Sequence, residues 1–236
     1  MKKLLNTLYV TTEGAALRKD GENVVAEVEG AERARIPFHM LGSVVTFGAV
    51  LVSPPLIQAL ATLGITLVLL DRTGRFRARI EGPVSGNVLL RRAQYRASEA
   101  PDEIVRSLVC GKISNQRVVL QRALRDYGDA MPAAAAARIG EAVHRLARIL
   151  RRVLEAGEPA ETVRGLEGEA AKLYFGVFGD LVRSPDPEIR FAGRSRRPPL
   201  DPVNAVLSFL YTLLTHDCRS ALESVGLDPA VGFLHR

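Results

Sequence analysis

Near residues 82–87 the spacing of the apolar residues changes period, and that change confines the chain to a fold that begins as sheet and finishes as helix. From Leu4 to about Ile80 the pattern is one of short β-type runs, LLNTLYV, NVVAEVE and ITLVLLD among them, separated by turn residues. Asp20-Gly21 before the second run predicts a tight hairpin. Ser53-Pro54-Pro55 followed by LIQALATLG supplies a helix start and a glycine stop, so one short helix is expected among the strands. The segment EGPVSGN then breaks the pattern, and nearly everything after Asn87 has helical spacing. Helices are expected at 88–96, at 102–127, from an alanine-rich start through RIGEAVHRLARILRRVL, at 161–178 and at 202–222. The fold class is therefore α+β, with a β-rich N-terminal domain over 1–82 and an all-helical domain over 87–236.

The chain has 236 residues, 47% of them hydrophobic, enough to bury a sizeable core. No run of eighteen apolar residues offers a membrane span, and Asn6, Thr7 and Thr11 interrupt the lysine-led N-terminus before any small-residue cleavage site. A soluble, unprocessed, cytoplasmic protein is expected. Cys110 and Cys218 stand singly in apolar helical stretches with no CxxC partner, so neither a disulfide framework nor a zinc site is suggested. A net charge of +6 permits attraction to phosphates without requiring it.

Three basic features bear on that question. In RFRARI, Arg75, Arg77 and Arg79 share one strand face, which can meet phosphate but is explained more economically as a solvated strand face or an intersubunit salt-bridge surface. Arg138, Arg145, Arg148, Arg151 and Arg152, with His144, make one helix basic on its outer side, a pattern common on solvated surfaces. RFAGRSRRPP crowds Arg190, Arg194, Arg196 and Arg197 into the densest basic run, immediately before a helix. A mobile basic loop and a phosphate contact explain it equally well.

The chemistry-bearing candidates are few. In ETVRGLEGEAAKLYFGVFGD, Glu167 shares a helix face with Val163, Ala170, Tyr174 and Val177, so its carboxylate is expected to be partly buried and to need a cation, strong hydrogen bonds or a metal. A structural salt bridge and a metal site both satisfy that need. Gly165 and Gly168 beside it leave room for a close neighbour, and Glu169 is expected to pair with Lys172. In DPVNAVLSFLYTLLTHD, Asp201-Pro202 reads as an N-cap and first helical position, and Asn204, Ser208, Tyr211 and Thr215 form a polar stripe along an apolar helix expected to be enclosed by protein. His216 reads as a C-terminal dipole or capping residue beside Asp217. The chain closes on GLDPAVGFLHR, which reads as a chain still entering a packed region and so as a truncation. Its penultimate His235, taken alone, is a terminal residue.

Taken together, KLLNTLYVTTEGA, GPVSGNVLLRRAQYR, RGLEGEAAKLYF, RRPPLDPVNAVLSFLYTLL and GLDPAVGFLH resemble the CRISPR-associated integrases, also described as metal-dependent endonucleases, of the spacer-acquisition machinery. The near-contiguous match is similar to the type I-C version. The resemblance implies a β-rich dimerisation domain, a helical catalytic domain and a manganese or magnesium ion. By the same resemblance Glu167 and His235 are two of the metal ligands and the catalytic residues. The family's third ligand, an acidic residue shortly beyond that histidine, is not among these 236 residues. Asn204, Ser208 and Tyr211 fall in a motif resembling the lining of the family's active site, and Arg194, Arg196 and Arg197 are expected to hold DNA backbone.

The partners implied are double-stranded and branched DNA, a second copy of the chain, a small ferredoxin-like CRISPR-associated protein, and an accessory DNA-trimming nuclease. The reaction implied is attack of a captured DNA 3′-hydroxyl on a repeat phosphodiester, with water as nucleophile giving cleavage. A divalent cation held by carboxylate and imidazole suits that chemistry, and imidazole leans the choice toward manganese. Two other readings remain open: a branched-DNA repair nuclease, and a non-catalytic DNA-binding or assembly module.

Overall fold

The structure, a computed structural model, describes residues 6–83, 87–155 and 157–235. Leu4 and Leu5 of the first expected strand, the Val84–Gly86 part of the expected boundary and the terminal Arg236 lie outside the described residues. Among the described residues eight strands and six α-helices follow in the order β1 (Asn6–Val10), β2 (Ala16–Asp20), β3 (Asn23–Val28), β4 (Ala31–Pro37), β5 (Leu41–Phe47), β6 (Leu51–Val52), α1 (Pro54–Thr62), β7 (Thr66–Leu70), β8 (Phe76–Ile80), α2 (Val88–Glu99), α3 (Asp102–Tyr127), α4 (Ala133–Leu154), α5 (Ala160–Val177) and α6 (Pro202–Ser224). The change from strand to helix falls where the apolar period changes, and the architecture is α+β.

Two compact units divide the chain: residues up to Arg91 together with Phe209–Pro229, and Arg92–Ser208 together with the residues from Ala230 onward. The first unit holds two four-stranded sheets, ordered β1-β5-β7-β8 and β4-β3-β2-β6. In the first sheet β1, β5 and β7 run parallel and β8 antiparallel. The Asp-Gly signal is met by a two-residue turn in which Asp20 pairs with Asn23 and Gly21 takes a φ of +56°. The next hairpin places Glu29 and Gly30 both at positive φ, as a turn with the mirrored twist requires.

The run ITLVLLD is continuous rather than alternating because β7 is covered on both faces. Leu67 and Val44 face a core shared with Leu17, Val24, Phe38, Leu56 and Leu60. On the opposite face Val45, Val68 and Leu70 pack with Phe47 and Leu213. Leu213 belongs to α6, so Phe209–Pro229, expected as part of the helical domain, packs with the β unit. The second unit is built on α3, α4 and α5, whose Val105, Val109, Ile113, Ile139, Leu146, Val153, Val163 and Leu166 close one core.

Among the described residues no helix is long and apolar enough to cross a membrane. Enclosure of α6 by protein, expected from its apolar character, is not observed: Val206, Leu210 and Leu214 are 57%, 51% and 57% exposed. Their i, i+4, i+8 spacing puts them on one stripe, while the adjoining side carries Phe209, Leu213 and His216.

Candidate functional site

Helix α5 begins after Pro159, and its first free N–H, that of Ala160, donates to Oδ1 of Asp102 at 2.8 Å. This cap from α3 satisfies one orphaned donor and ties the two helices together at that end. Val163, Leu166, Ala170 and Val177 are buried along one side. Glu167 lies at the edge of that side with its side chain 13% exposed, and its Oε1 is ion-paired with Nζ of Lys112 on α3. The partly buried carboxylate thus has a cation, as its position demanded. Lys112 carried no local sequence signal, because its partner is 55 residues away.

One neighbouring expectation is corrected. Glu169 approaches Arg145 of α4 at 3.9 Å rather than Lys172. Gly165 and Gly168 leave open space beside Glu167: an added Cβ would meet no atom within 4 Å at either.

The basic run before α6 divides in two. Arg194 is partly buried, and its Nη1 donates to Oδ1 of Asn204 at 2.7 Å and to the Ser195 carbonyl at 2.6 Å. Arg196 and Arg197 are exposed. Arg194 also lines a cavity of about 790 Å³ together with Arg138, Lys172, Phe175, Asp180 and Arg190. Asp180 there is held by Arg138 at 2.6 Å.

Asp201 is the N-cap expected of it: its Oδ1 accepts from the Asn204 N–H at 2.7 Å, one turn into α6. Asn204 itself is fully buried and spends its side chain inside the protein. Its Nδ2 donates to the Gly193 carbonyl at 2.7 Å and to Oδ2 of Asp201 at 2.6 Å. Ser208 is half-buried and Tyr211 is 46% exposed, with the Tyr211 carbonyl accepting from Oγ1 of Thr215 at 2.7 Å. Tyr211 falls in the first unit and Ser208 in the second, so the polar stripe does not belong to one compact body.

At the C-terminus Phe233 and Leu234 pack against the helical core. They line a recess with Pro159, Ala160, Glu161 and Arg164, at the N-terminal end of α5, and His235 follows them as an exposed residue. Among the described residues no three His, Cys, Asp or Glu side chains gather closely enough to hold a metal ion. Glu167 carries a carboxylate oxygen and His235 an imidazole nitrogen, and neither takes part in such a cluster.

His216 differs from its expected role. It is buried in the first unit and stacks on Phe76 of β8, ring centroids 4.5 Å apart and planes at 25°. Burial, and then the nearby Arg79 and Arg219, push its pKa below the ordinary histidine value, against a smaller opposing pull from Asp217. Of the arginines on the RFRARI strand, Arg79 is 14% exposed and bridges Glu81 at 2.9 Å and Glu223 at 2.5 Å, while Arg77 pairs with Asp71 at 2.9 Å. Two arginines of that face, Arg77 and Arg79, are thus paired within the chain, where a solvated or intersubunit surface was the expectation.

The model for the family described as "CRISPR associated protein Cas1" matches residues 8–236. The chain belongs to the Cas1 family. A Rhodospirillum rubrum protein named CRISPR-associated endonuclease Cas1 2 is 70% identical over 236 residues, covering all of this chain and 69% of the relative. Among solved structures, a Cas1 protein from Thermotoga maritima superposes with a TM-score of 0.72 at 22% identity, over 98% of this chain and 70% of that one. A chain of a Cas6-RT-Cas1–Cas2 complex gives 0.73 at 23% identity, over all of this chain and 25% of that one. At these identities the two structures show the Cas1 fold, with its β-rich N-terminal and helical C-terminal regions.

Proposed function

We propose that this Cas1-family chain is a metal-dependent DNA endonuclease and integrase of CRISPR adaptation. In this reading the 3′-hydroxyl of a captured DNA fragment attacks a phosphodiester at the edge of a repeat, and water in its place gives cleavage. The observation that carries the reading is Glu167, a partly buried carboxylate that requires a cation, in a chain 70% identical to a protein named as a Cas1 endonuclease. Glu167 and His235 would contribute two ligands to a manganese or magnesium ion, which would polarise the phosphodiester and stabilise charge on its oxygens.

The chain's own residues do the rest of the positioning. Lys112 supplies the positive charge beside Glu167, and Arg196 and Arg197 hold the DNA backbone with the sensitivity to salt that phosphate contacts confer. The partners we infer are double-stranded or branched DNA, a second copy joined through the β unit, a small ferredoxin-like CRISPR-associated protein of the Cas2 kind, and an accessory trimming nuclease. The setting is cytoplasmic, and the motif match supports a type I-C system.

A second reading is favoured by one observation. The Glu167 carboxylate already has Lys112 as its cation, which suits a DNA-binding or assembly module without catalysis. One experiment separates the two: manganese-dependent cleavage and strand transfer on a branched DNA carrying a repeat end, for the wild-type chain and Glu167→Ala at the same salt. Activity lost in the variant supports the enzyme. Activity absent from both, or equal in both, removes it, and salt-sensitive binding without manganese dependence would then describe the chain.

A further inference from the structure

A side-chain amide with no exposure has to place two N–H donors and one carbonyl acceptor inside the protein or lose the free energy of solvation. Asn204 places all of them on the segment that precedes its own helix. Its two donors go to the Gly193 carbonyl and to Asp201, and its Oδ1 accepts both from Arg194 Nη1 and from the Ser195 N–H at 3.0 Å. The capping bond from Asp201 to the Asn204 N–H holds the amide on the first turn of α6, so the cage is rooted in a helix rather than in a loop.

Gly193 has a φ of +147°, a conformation that a side chain would strain, and this lets its carbonyl turn toward Asn204. Ser195 closes the far end, its Oγ accepting from the Leu200 N–H at 2.9 Å. The four residues between Ser195 and Leu200 are Arg196, Arg197, Pro198 and Pro199. Both arginines are exposed, neither has a carboxylate partner among the described residues, and the two prolines reduce the backbone freedom that binding would otherwise remove.

We propose that Asn204 and Arg194 are positioning residues that lock the 195–200 loop, and that this loop presents Arg196 and Arg197 as a preorganised clamp on DNA phosphates. The phosphate part rests on the DNA-acting reading above. The arginine run, uniform in sequence, thereby divides by role: Arg194 is spent on the Asn204 amide and the Ser195 carbonyl, and the next two side chains meet the ligand. Both bonds leave from the single nitrogen Nη1, whose two N–H groups are fixed in the guanidinium plane, a geometry that the differently shaped and freely rotating lysine ammonium does not reproduce.

The test combines two readouts at temperatures well below unfolding, with thermal melts to confirm that each variant folds. The first is binding of a fluorescent DNA duplex as a function of salt. Arg196→Ala with Arg197→Ala should lower the slope of log affinity against log salt by about one to two, the loss of one or two phosphate contacts. Arg194→Lys, which keeps the charge, should weaken binding about tenfold, as much as Arg194→Ala. Asn204→Ala should lower the slope as the arginine pair does and add nothing when combined with that pair.

The second readout needs no DNA: trypsin cleavage after Arg196 should be slow in the wild type and faster in Arg194→Lys and Asn204→Ala. Full binding and an unchanged slope in Arg194→Lys would overturn the positioning role, as would unchanged trypsin cleavage in both variants. A wild-type chain that does not bind the duplex would overturn the phosphate clamp and the DNA-acting reading together, with trypsin still deciding the lock. Should Asn204→Ala fail to fold, Arg194→Lys carries both readouts.

Discussion

Lys112 on α3 is ion-paired with Glu167 on α5, a bond between helices that makes the candidate metal-ligating carboxylate also a structural one. The lysine side chain is 48% exposed and the glutamate 13%, so the pair sits at the edge of the helical core, partly open to solvent. Glu167→Gln should therefore cost only about 0.5–1 kcal/mol in urea denaturation while abolishing cleavage. A loss of several kcal/mol would mean that the inactivity of the variant reports folding and not chemistry.

The same pairing bears on metal affinity. Lys112 places a positive charge where a cation would approach Glu167, so Lys112→Met should tighten manganese binding by roughly three- to tenfold. Calorimetric titration of manganese reads this directly, without recourse to activity. Weaker binding in the variant would show that Lys112 supports the site rather than competes for it.

Stability should depend on pH through one buried cluster of the β unit. Burial, and then a hydrogen bond to Glu223, push the Glu81 carboxyl up to about 7, against the opposing charge of Arg79, with smaller contributions from Glu223 and Arg219. A carboxyl with a raised pKa binds more protons folded than unfolded, so its contribution is full below about 4.5 and is lost as pH rises toward 7. Allowing for its partial exposure, the loss is on the order of 1–2 kcal/mol. His216, whose pKa is lowered, works the other way: its contribution is present above the ordinary histidine value and lost as pH falls. Urea denaturation between pH 5 and 8 should therefore show Glu81→Gln losing the decline toward neutral pH and His216→Phe losing the weakening toward acid. A Glu81→Gln profile parallel to the wild type would mean that Glu81 does not take up the proton.

The second half of α6 approaches the β unit closely at Gly74. A Cβ at Gly74 would stand 2.5 Å from the Phe209 ring, and the residue has a φ of +79°. Phe209 in turn lies 5.7 Å from Phe47, centroid to centroid. Gly74→Ala should destabilise by about 1–3 kcal/mol, from the strained φ and the displaced ring together. A melting temperature equal to the wild type would show that Phe209 is not held there.

Two helical leucines should behave differently according to burial. Leu146→Ala, at a fully buried position in the helical core, should cost about 2–5 kcal/mol. Leu214→Ser, at a position 57% exposed on α6, should change stability by less than about 0.5 kcal/mol. Chemical denaturation of the two variants checks both.

Much of the fold was legible because it rests on local periodicity. The helix bounds, the Asp20-Gly21 hairpin and the Asp201 cap each depend on residues within a turn or two of one another, where spacing and stereochemistry decide. The site was legible only in part. Glu167 stood out as a carboxylate on an apolar face, yet nothing nearby indicated Lys112, and the arginine run gave no sign that Arg194 and its neighbours differ. Asn204 was recognisable as polar on an apolar helix, but its four side-chain partners come from a segment whose path periodicity does not describe.

The residues alone determined the order of strands and helices, the place where one gives way to the other, and the family through its motifs, because these are set by contacts along the chain or by its written order. Tertiary structure alone decided that Phe209–Pro229 belongs with the sheets, that His216 lies on Phe76, that Lys112 meets Glu167, and that Asn204 grips the loop before it. Those pairings join groups whose proximity depends on how whole elements pack, and packing is settled by the burial of many side chains together rather than by any short stretch of sequence.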